Sequence, residues 1–192
     1  MRLTVLQNIK ANNLQDFITF WARLYSYPNE QQYIRLISKD QFDMNDIIEL
    51  YAWKNGKRLS KSNQNSLSIK IISKIGLINM FKSSPDFSLV NFKSDFENVS
   101  AVWKVFLLHI IQPDKYPMYD QNVHRAFLFI NNENYSGVSN KSMSNRVKEQ
   151  FYFKRYMSFI KNNDIENLRE LDKSLFAFGQ FINIKNQFTL LD

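Results

Sequence analysis

The chain has 192 residues, with 25 Lys and Arg against 18 Asp and Glu, which leaves a formal net charge of +7, and it has no cysteine. The absence of cysteine excludes disulfides, thiolate zinc sites, cysteine nucleophiles and cysteine-held iron–sulfur clusters, and the two histidines are too few for a histidine-rich metal site. No apolar run approaches the ~20 residues that span a bilayer, so we expect a soluble, cytoplasmic protein without a metal ion or other cofactor.

Glycine and proline contribute only four residues each, which favours helices because sheets need frequent tight turns. Three helices are predicted first, each with apolar residues at helical spacing. Asn13 caps the first, which ends before Pro28, and Asn29 starts the second. The third runs from its cap, Asp43, to Gly56, where glycine predicts the helix end.

The polar and basic stretch 57–66 is interpreted as a loop or the start of a helix. A fourth helix is predicted from about Leu67 to Gly76, and residues 85–96 are expected to form short, irregular helical turns. The fifth helix, from about residue 100 to residue 111, is apolar almost all round, so we expect it to lie in the centre of the fold.

Pro113 and Pro117 bracket a non-helical connection to Asp120, which stands at the N-cap position of a sixth helix. Residues 131–145 have the composition of a surface loop. Helices over 146–160 and 165–181 complete the chain. The pattern predicts a single all-α domain over residues 1–192, with about eight to ten helices.

Basic charge is concentrated in residues 51–110, which contain nine basic and three acidic side chains. A basic excess confined to one third of a chain is the electrostatic footprint of a polyanion partner, and nucleic acid is the commonest. The alternative is a solvated, lysine-rich surface without a partner, and charge alone favours it.

Residues 98–125, NVSAVWKVFLLHIIQPDKYPMYDQNVHR, combine a short turn, an apolar helix, a proline-bounded loop and an aspartate at a helix start. This layout resembles the helix-hairpin-helix (HhH-GPD) DNA glycosylase superfamily, in particular small divergent bacterial members similar to 8-oxoguanine glycosylase. In that family a Gly-hydrophobic-Gly hairpin precedes the helix, and the catalytic aspartate follows a Pro-x-x-(Phe/Tyr)-Pro-hydrophobic loop. Here Asn98-Val99-Ser100 takes the hairpin position and Asp120 the aspartate position, without a gap.

The resemblance implies a compact glycosylase fold, with two lobes flanking a cleft and the hairpin and catalytic helix within residues 96–131. It implies a monofunctional DNA glycosylase without AP-lyase activity, because Val102 takes the place of the lysine nucleophile and Lys104 lies two residues further on. We expect a monomer that binds DNA and excises a damaged or modified base, in DNA repair or in defence against modified phage DNA.

The resemblance also assigns roles to individual residues. Asp120 stabilises the positive charge that develops on the deoxyribose and positions the attacking water. DNA contacts are expected from Asn98, Val99, Ser100, Lys104, Arg125, Lys57 and Arg58. A pocket for the flipped base is expected from Tyr51, Trp53, Lys54, Asn55 and Tyr119.

Each of these assignments has a structural alternative. Asp120 is also typical of a simple helix cap, Tyr51 and Trp53 of core aromatics, and the basic cluster of solvent exposure. His109 indicates a hydrogen-bonded core histidine, and His124 a surface or half-buried helix residue. A catalytically inactive DNA-binding or protein-interaction module of the same fold is the alternative to an enzyme, and a helical interaction protein unrelated to DNA is a third reading.

Overall fold

Local side-chain caps set the helix starts in the computed structural model, which describes residues 11–138 and 143–188. Asn13 accepts a hydrogen bond from the Asp16 amide at 2.8 Å. Asp43 and Asp46 form a reciprocal capping box, and Gly56 ends the same helix with φ at 68°. These caps are the ones that the sequence predicts, because such bonds join residues close in the chain.

The described residues form helices and loops, without a strand, which confirms the all-α prediction. The α-helices are α1 (Leu14–Ala22), α2 (Glu30–Ile37), α3 (Met44–Asn55), α4 (Lys61–Lys70), α5 (Ile75–Ser83), α6 (Leu89–Asp95), α7 (Ala101–Ile111), α8 (Gln121–Ile130), α9 (Asn145–Gln150), α10 (Met157–Asn162) and α11 (Leu168–Phe188). A 3-10 turn, Ile72–Lys74, joins α4 to α5, and a π-helical turn, Phe151–Tyr156, joins α9 to α10. When α4 and α5, and likewise α9 and α10, are counted together with the turn that joins them, the described residues form nine helical stretches, within the predicted eight to ten.

The segment from residue 57 to residue 83 differs from its prediction. The second half of the polar stretch is helical, because Ser60 caps α4 through its side chain. A fourth helix ending near Gly76 is wrong, since α4 ends before the 3-10 turn and Gly76 lies inside α5. Glycine ends a helix where its φ is positive, as at Gly56, whereas Gly76 keeps a negative φ.

The C-terminal helices agree with the sequence in position but differ in detail. The predicted helix over 146–160 is continuous, but its middle is the π-helical turn, which buries Phe151, Tyr152 and Tyr156. The last helix, α11, begins and ends later than predicted. Residues 139–142 of the predicted surface loop lie outside the described residues.

The described residues group into two compact units. The first comprises residues 11–25, 120–138 and 165–188, with α1, α8 and α11. Helix α11 packs along both of the others. The ring of Phe178 is central, with its centroid within 5.1 Å of those of Phe17, Trp21 and Phe129.

The second unit comprises residues 26–119 and 143–164, with the other eight α-helices. Helix α7 is its centre, as its apolar pattern predicts, because nine of its eleven residues are buried. It packs against α5 and α9. The rings of Tyr51 and Trp53, from α3, lie against Phe106 of α7. The arrangement of two lobes around a cleft stays a prediction.

Candidate functional site

Asp120 is fixed at the N-terminus of α8 in the first unit. Its extended backbone, with φ at −152°, ends the non-helical connection that holds Pro113 and Pro117. The carboxylate Oδ1 accepts hydrogen bonds from the amides of Asn122 at 2.8 Å and Val123 at 2.9 Å. The side chain is half-buried. Unpaired amides and the helix dipole stabilise negative charge at this position.

The predicted DNA contact Arg125 lies inside the first unit, with 7% of its surface exposed. Its guanidinium donates to Asn122 Oδ1 at 2.8 Å and to the carbonyl of Val138 at 3.1 Å. Burial lowers the pKa of Arg125, and the nearby charge of Asp120 opposes this shift. Arg125 therefore stabilises the first turn of α8, and its guanidinium is not exposed for contact with a DNA phosphate. His124 is buried as well, where the sequence suggested a surface or half-buried position.

Helix α11 packs very closely against the start of α8 at Gly179. A Cβ at residue 179 would lie 2.1 Å from the backbone oxygen of Asn122 and 2.7 Å from its Cα. Only glycine permits this approach of two helix backbones. Asn122 thus has two roles: its backbone N–H donates to the carboxylate of Asp120, and its backbone packs against Gly179 of α11. The sequence contains no signal for this contact, because the two residues are far apart in the chain.

The predicted hairpin, Asn98-Val99-Ser100, is the turn between α6 and α7 in the second unit. Asn98 and Ser100 are exposed, whereas Val99 is buried. Asn98 is not among the described residues with positive φ, so this turn does not need glycine. The first amide of α7 is already used, because the Ala101 N–H donates to Asn145 Oδ1 of α9 at 3.1 Å.

Lys104, a predicted DNA contact, lies in the core of the second unit with 5% of its surface exposed. Its ammonium donates to Glu149 Oε1 at 2.8 Å and to the carbonyl of Glu97 at 3.3 Å. Nearby, the ammonium of Lys93 lies 3.4 Å from the centroid of Phe153. Burial lowers the pKa of Lys93, against the charge of Glu149, which raises it. These lysines tie α6 and α7 to the helices from 145 to 162.

The aromatic residues predicted for a base pocket are core residues in the second unit. Tyr51 donates its hydroxyl to the carbonyl of Trp103 at 2.9 Å, and burial raises its pKa well above the ordinary value. Trp53 stacks on Tyr33 with centroids 4.1 Å apart. Its Nε1 is buried and has no hydrogen-bond partner among the described residues. Tyr119 is buried against aromatic residues of the π-helical turn.

The polar candidates around the end of α3 are nearer the surface. Lys54 is half-buried, with its ammonium 5.7 Å from the centroid of Phe106. Asn55 donates to the carbonyl of Lys57 at 3.1 Å. Lys57 and Arg58 are exposed in the loop that follows Gly56. Of the predicted DNA contacts, these two cations and the tips of the hairpin are the ones that reach solvent.

His109 is the hydrogen-bonded core histidine that the sequence indicates. Its Nδ1 lies 2.7 Å from the carbonyl of Tyr116, and its Nε2 lies 2.6 Å from the hydroxyl of Tyr33. A carbonyl only accepts hydrogen bonds, so Nδ1 carries a proton. In that tautomer Nε2 accepts from the tyrosine hydroxyl. These bonds link α2 to α7 and to the proline-bounded connection.

A cleft of about 460 Å³ opens in the second unit beside the C-terminal ends of α2, α5 and α7. Lys82 lines it and donates to the carbonyls of Ile37 and Ile110, each at 3.1 Å. Burial lowers the pKa of Lys82, while the charges of Asp40 and Asp114 raise it. None of the predicted site residues lines this cleft.

Within the described ranges, no group of three or more His, Asp or Glu residues is arranged to hold a metal ion. No helix in these ranges has both the length and the apolar character to span a membrane. Comparison of the chain with protein-family models, with curated proteins and with solved structures gives no match. The likeness to helix-hairpin-helix DNA glycosylases therefore rests on residues 98–125 of the sequence.

Proposed function

We propose that this protein is a monofunctional DNA glycosylase that hydrolyses the N-glycosidic bond of a damaged or modified nucleotide, with Asp120 as the catalytic carboxylate. The observation that carries the proposal is the order of elements around Asp120. A buried helix, α7, follows a short turn, a proline-bounded connection follows α7, and the aspartate begins α8. This is the order by which residues 98–125 resemble the glycosylases.

The position of the carboxylate suits hydrolysis of a glycosidic bond. As the bond between C1′ and the base nitrogen breaks, positive charge develops on the deoxyribose, and a fixed carboxylate stabilises it. Water then supplies the oxygen that bonds to C1′, and its proton ends on the departing base. The amides of Asn122 and Val123 hold one oxygen of Asp120, so the carboxylate has a fixed orientation at the start of α8.

The burial and pairing of Lys104, the lysine nearest to the family's nucleophile position, support water as the nucleophile. Lys104 is buried and paired with Glu149 in the second unit. A lysine forms a Schiff base only when its side chain reaches the substrate. A side chain that is buried and held by Glu149 is not placed to do so. We therefore propose base release without cleavage of the DNA strand.

The experiment compares two aspartates that cap helices in the same way. Asp120 caps α8 and Asp43 caps α3, each with a side-chain bond to an amide of the first turn. Asparagine caps a helix about as well as aspartate, so Asp120→Asn and Asp43→Asn both preserve the fold. Purified variants are incubated with DNA carrying damaged bases and with hypermodified phage DNA, and released bases and alkali-labile sites are measured.

We expect base release by the wild type and by Asp43→Asn, and none by Asp120→Asn, while all three bind DNA alike. Equal release by Asp120→Asn contradicts the mechanism. Release that comes with strand cleavage at neutral pH contradicts the monofunctional assignment. The substrate is identified in the same experiment from the base that is released.

A second candidate function is a DNA-binding module that lacks catalysis. It is favoured by one observation on the second unit: Tyr51, Trp53 and Tyr119, the residues predicted to form the pocket for the flipped base, are buried core residues. This candidate predicts DNA binding without base release from any DNA in the panel, and identical behaviour of Asp120→Asn and wild type.

A further inference from the structure

Helix α4 has an unusually polar composition for a helix of a compact unit. Its ten residues include two apolar side chains, Leu67, which is buried, and Ile69, which is exposed. Serine, asparagine and lysine make up most of the rest. Serine and asparagine form helices less readily than alanine or leucine. Neither packing nor helix propensity therefore accounts for this sequence.

The surface around α4 also has no acidic residue to balance its charge. Between Glu49 and Asp86 the chain has seven basic residues and no acidic one. Lys57, Arg58 and Lys61 are exposed, and none of them forms an ion pair with a described carboxylate. Solvated helix surfaces commonly alternate positive and negative charges. A run of uncompensated cations instead attracts polyanions.

Lys61 shares one face of α4 with two neutral hydrogen-bond donors. Asn65 and Ser68 follow at i+4 and i+7, which is the spacing of a single helix face. All three side chains are exposed. Lys57 and Arg58 lie in the short loop that leads into this helix. Cations and neutral amide or hydroxyl donors are the groups that contact phosphate oxygens in protein–DNA complexes.

The segment that follows α4 lies beside the hairpin turn. The ammonium of Lys74 donates to the carbonyl of Asp95, at the end of α6, and lies 5.3 Å from the centroid of Phe96. Phe96 begins the connection to Asn98-Val99-Ser100. The segment that follows the uncompensated cations is thus anchored to the end of α6, from which the chain continues into the turn that the sequence predicts to contact DNA.

We propose that Lys57, Arg58, Lys61, Asn65 and Ser68, here named the α4 surface, bind the phosphodiester backbone of double-stranded DNA. The proposal rests on the proposed function for the identity of the polyanion, and it adds Lys61, Asn65 and Ser68 to the residues expected from sequence. Phosphate contacts supply affinity and orientation without reading bases. The α4 surface therefore sets how tightly DNA is held and leaves the choice of base to other residues.

The test compares two triple variants, one that removes three charges from the α4 surface and one that removes three charges from other parts of the protein surface. The test variant is Lys57→Gln with Arg58→Gln and Lys61→Gln, and the control is Arg35→Gln with Lys154→Gln and Lys161→Gln. All six side chains are exposed, so each variant lowers the net charge from +7 to +4 at the surface. Affinity for an undamaged duplex of about 20 base pairs is measured by fluorescence anisotropy at about 50 to 200 mM salt.

If each of the three cations contacts one phosphate, the slope of log affinity against log salt falls by about 2.7, since each contact contributes about 0.9. The control is expected to change the slope by less than about 0.9. Equal slopes for the two variants overturn the proposal, and so does a wild type that binds no DNA at low salt. Weaker binding of the test variant to phosphatidylserine vesicles, with unchanged DNA binding, also overturns it in favour of a lipid surface.

Failure of this proposal and failure of the proposed function give different results. A slope difference in a protein that releases no base supports the α4 surface and leaves the enzyme assignment refuted. Base release by the wild type, together with equal salt slopes for the test and control variants, supports the enzyme assignment and refutes DNA binding by the α4 surface. Circular dichroism checks that both variants fold, and Lys61→Gln alone, with an expected decrease in slope of about 0.9, repeats the comparison with a single charge.

Discussion

Replacement of Gly179 by alanine is expected to destabilise the first unit, because it forces α8 and α11 apart. The added Cβ would lie 2.1 Å from the backbone oxygen of Asn122, and ordinary van der Waals contact begins near 3.4 Å. The helices must therefore separate locally by about 1.3 Å, which is the difference between these two distances. Relief by rotating a side chain is impossible, since all three nearest atoms belong to the backbone of Asn122.

The energetic cost follows from two opposed effects. Overpacking in a well-packed core costs about 1–3 kcal/mol or more, and a clash with backbone belongs at the upper end of that range. Alanine also favours the helical state over glycine by about 1 kcal/mol. The net decrease in the free energy of unfolding is therefore about 2 kcal/mol or more, and the melting temperature is expected to fall by about 4–8 °C for a chain of this size.

The matched control is Gly76→Ala, in α5, where a Cβ meets no atom within 4 Å and φ is not positive. That variant is expected to be as stable as the wild type, or more stable by about 0.4–1 kcal/mol. Urea denaturation followed by circular dichroism measures both. A Gly179→Ala protein that is as stable as Gly76→Ala refutes the close approach of α8 and α11, and with it the account of how Asn122 is held.

Two further predictions concern tyrosines of the second unit. Tyr33→Phe removes the hydroxyl that bonds His109 Nε2 at 2.6 Å in the core, so the free energy of unfolding is expected to fall by about 1–3 kcal/mol; no change in urea denaturation contradicts this. Burial raises the pKa of Tyr51 in the folded protein, because it disfavours the charged phenolate. The neutral Tyr51 therefore contributes its full share to the free energy of unfolding below the ordinary tyrosine pKa of about 10, and this contribution is lost as the pH rises above that value. The wild type should therefore lose stability above pH 10 more steeply than Tyr51→Phe, and parallel pH profiles would refute the assignment.

The features that the sequence predicted are those decided by residues close together in the chain. Asn13, Asp43 and Asp120 cap helices through bonds to amides two or three residues away, so cap and helix start are visible in one short stretch. The central position of α7 follows from apolar residues on all its sides, which no solvated helix carries. These local rules also account for the correct fold class.

The features that the sequence missed depend on distant partners. The contact of Gly179 with Asn122 and the hydrogen bond from Ala101 to Asn145 each join separate helices. The types of these residues do not indicate which partners they have in the fold. The resemblance predicts Lys104 and Arg125 as DNA contacts, but each side chain has its hydrogen-bond partners inside its own unit. Charge in a sequence does not tell a surface cation from a buried, paired one.

The most direct test of the central claim is the single-turnover rate of base release by wild type, Asp120→Asn and Asp43→Asn on the substrate found in the DNA panel. A carboxylate that acts on the reacting sugar and water contributes about 10²–10⁴-fold to such a rate. We predict a loss of this size in Asp120→Asn and an unchanged rate in Asp43→Asn. A wild-type rate in Asp120→Asn, with DNA binding intact, would leave Asp120 as a helix cap and contradict the proposed mechanism.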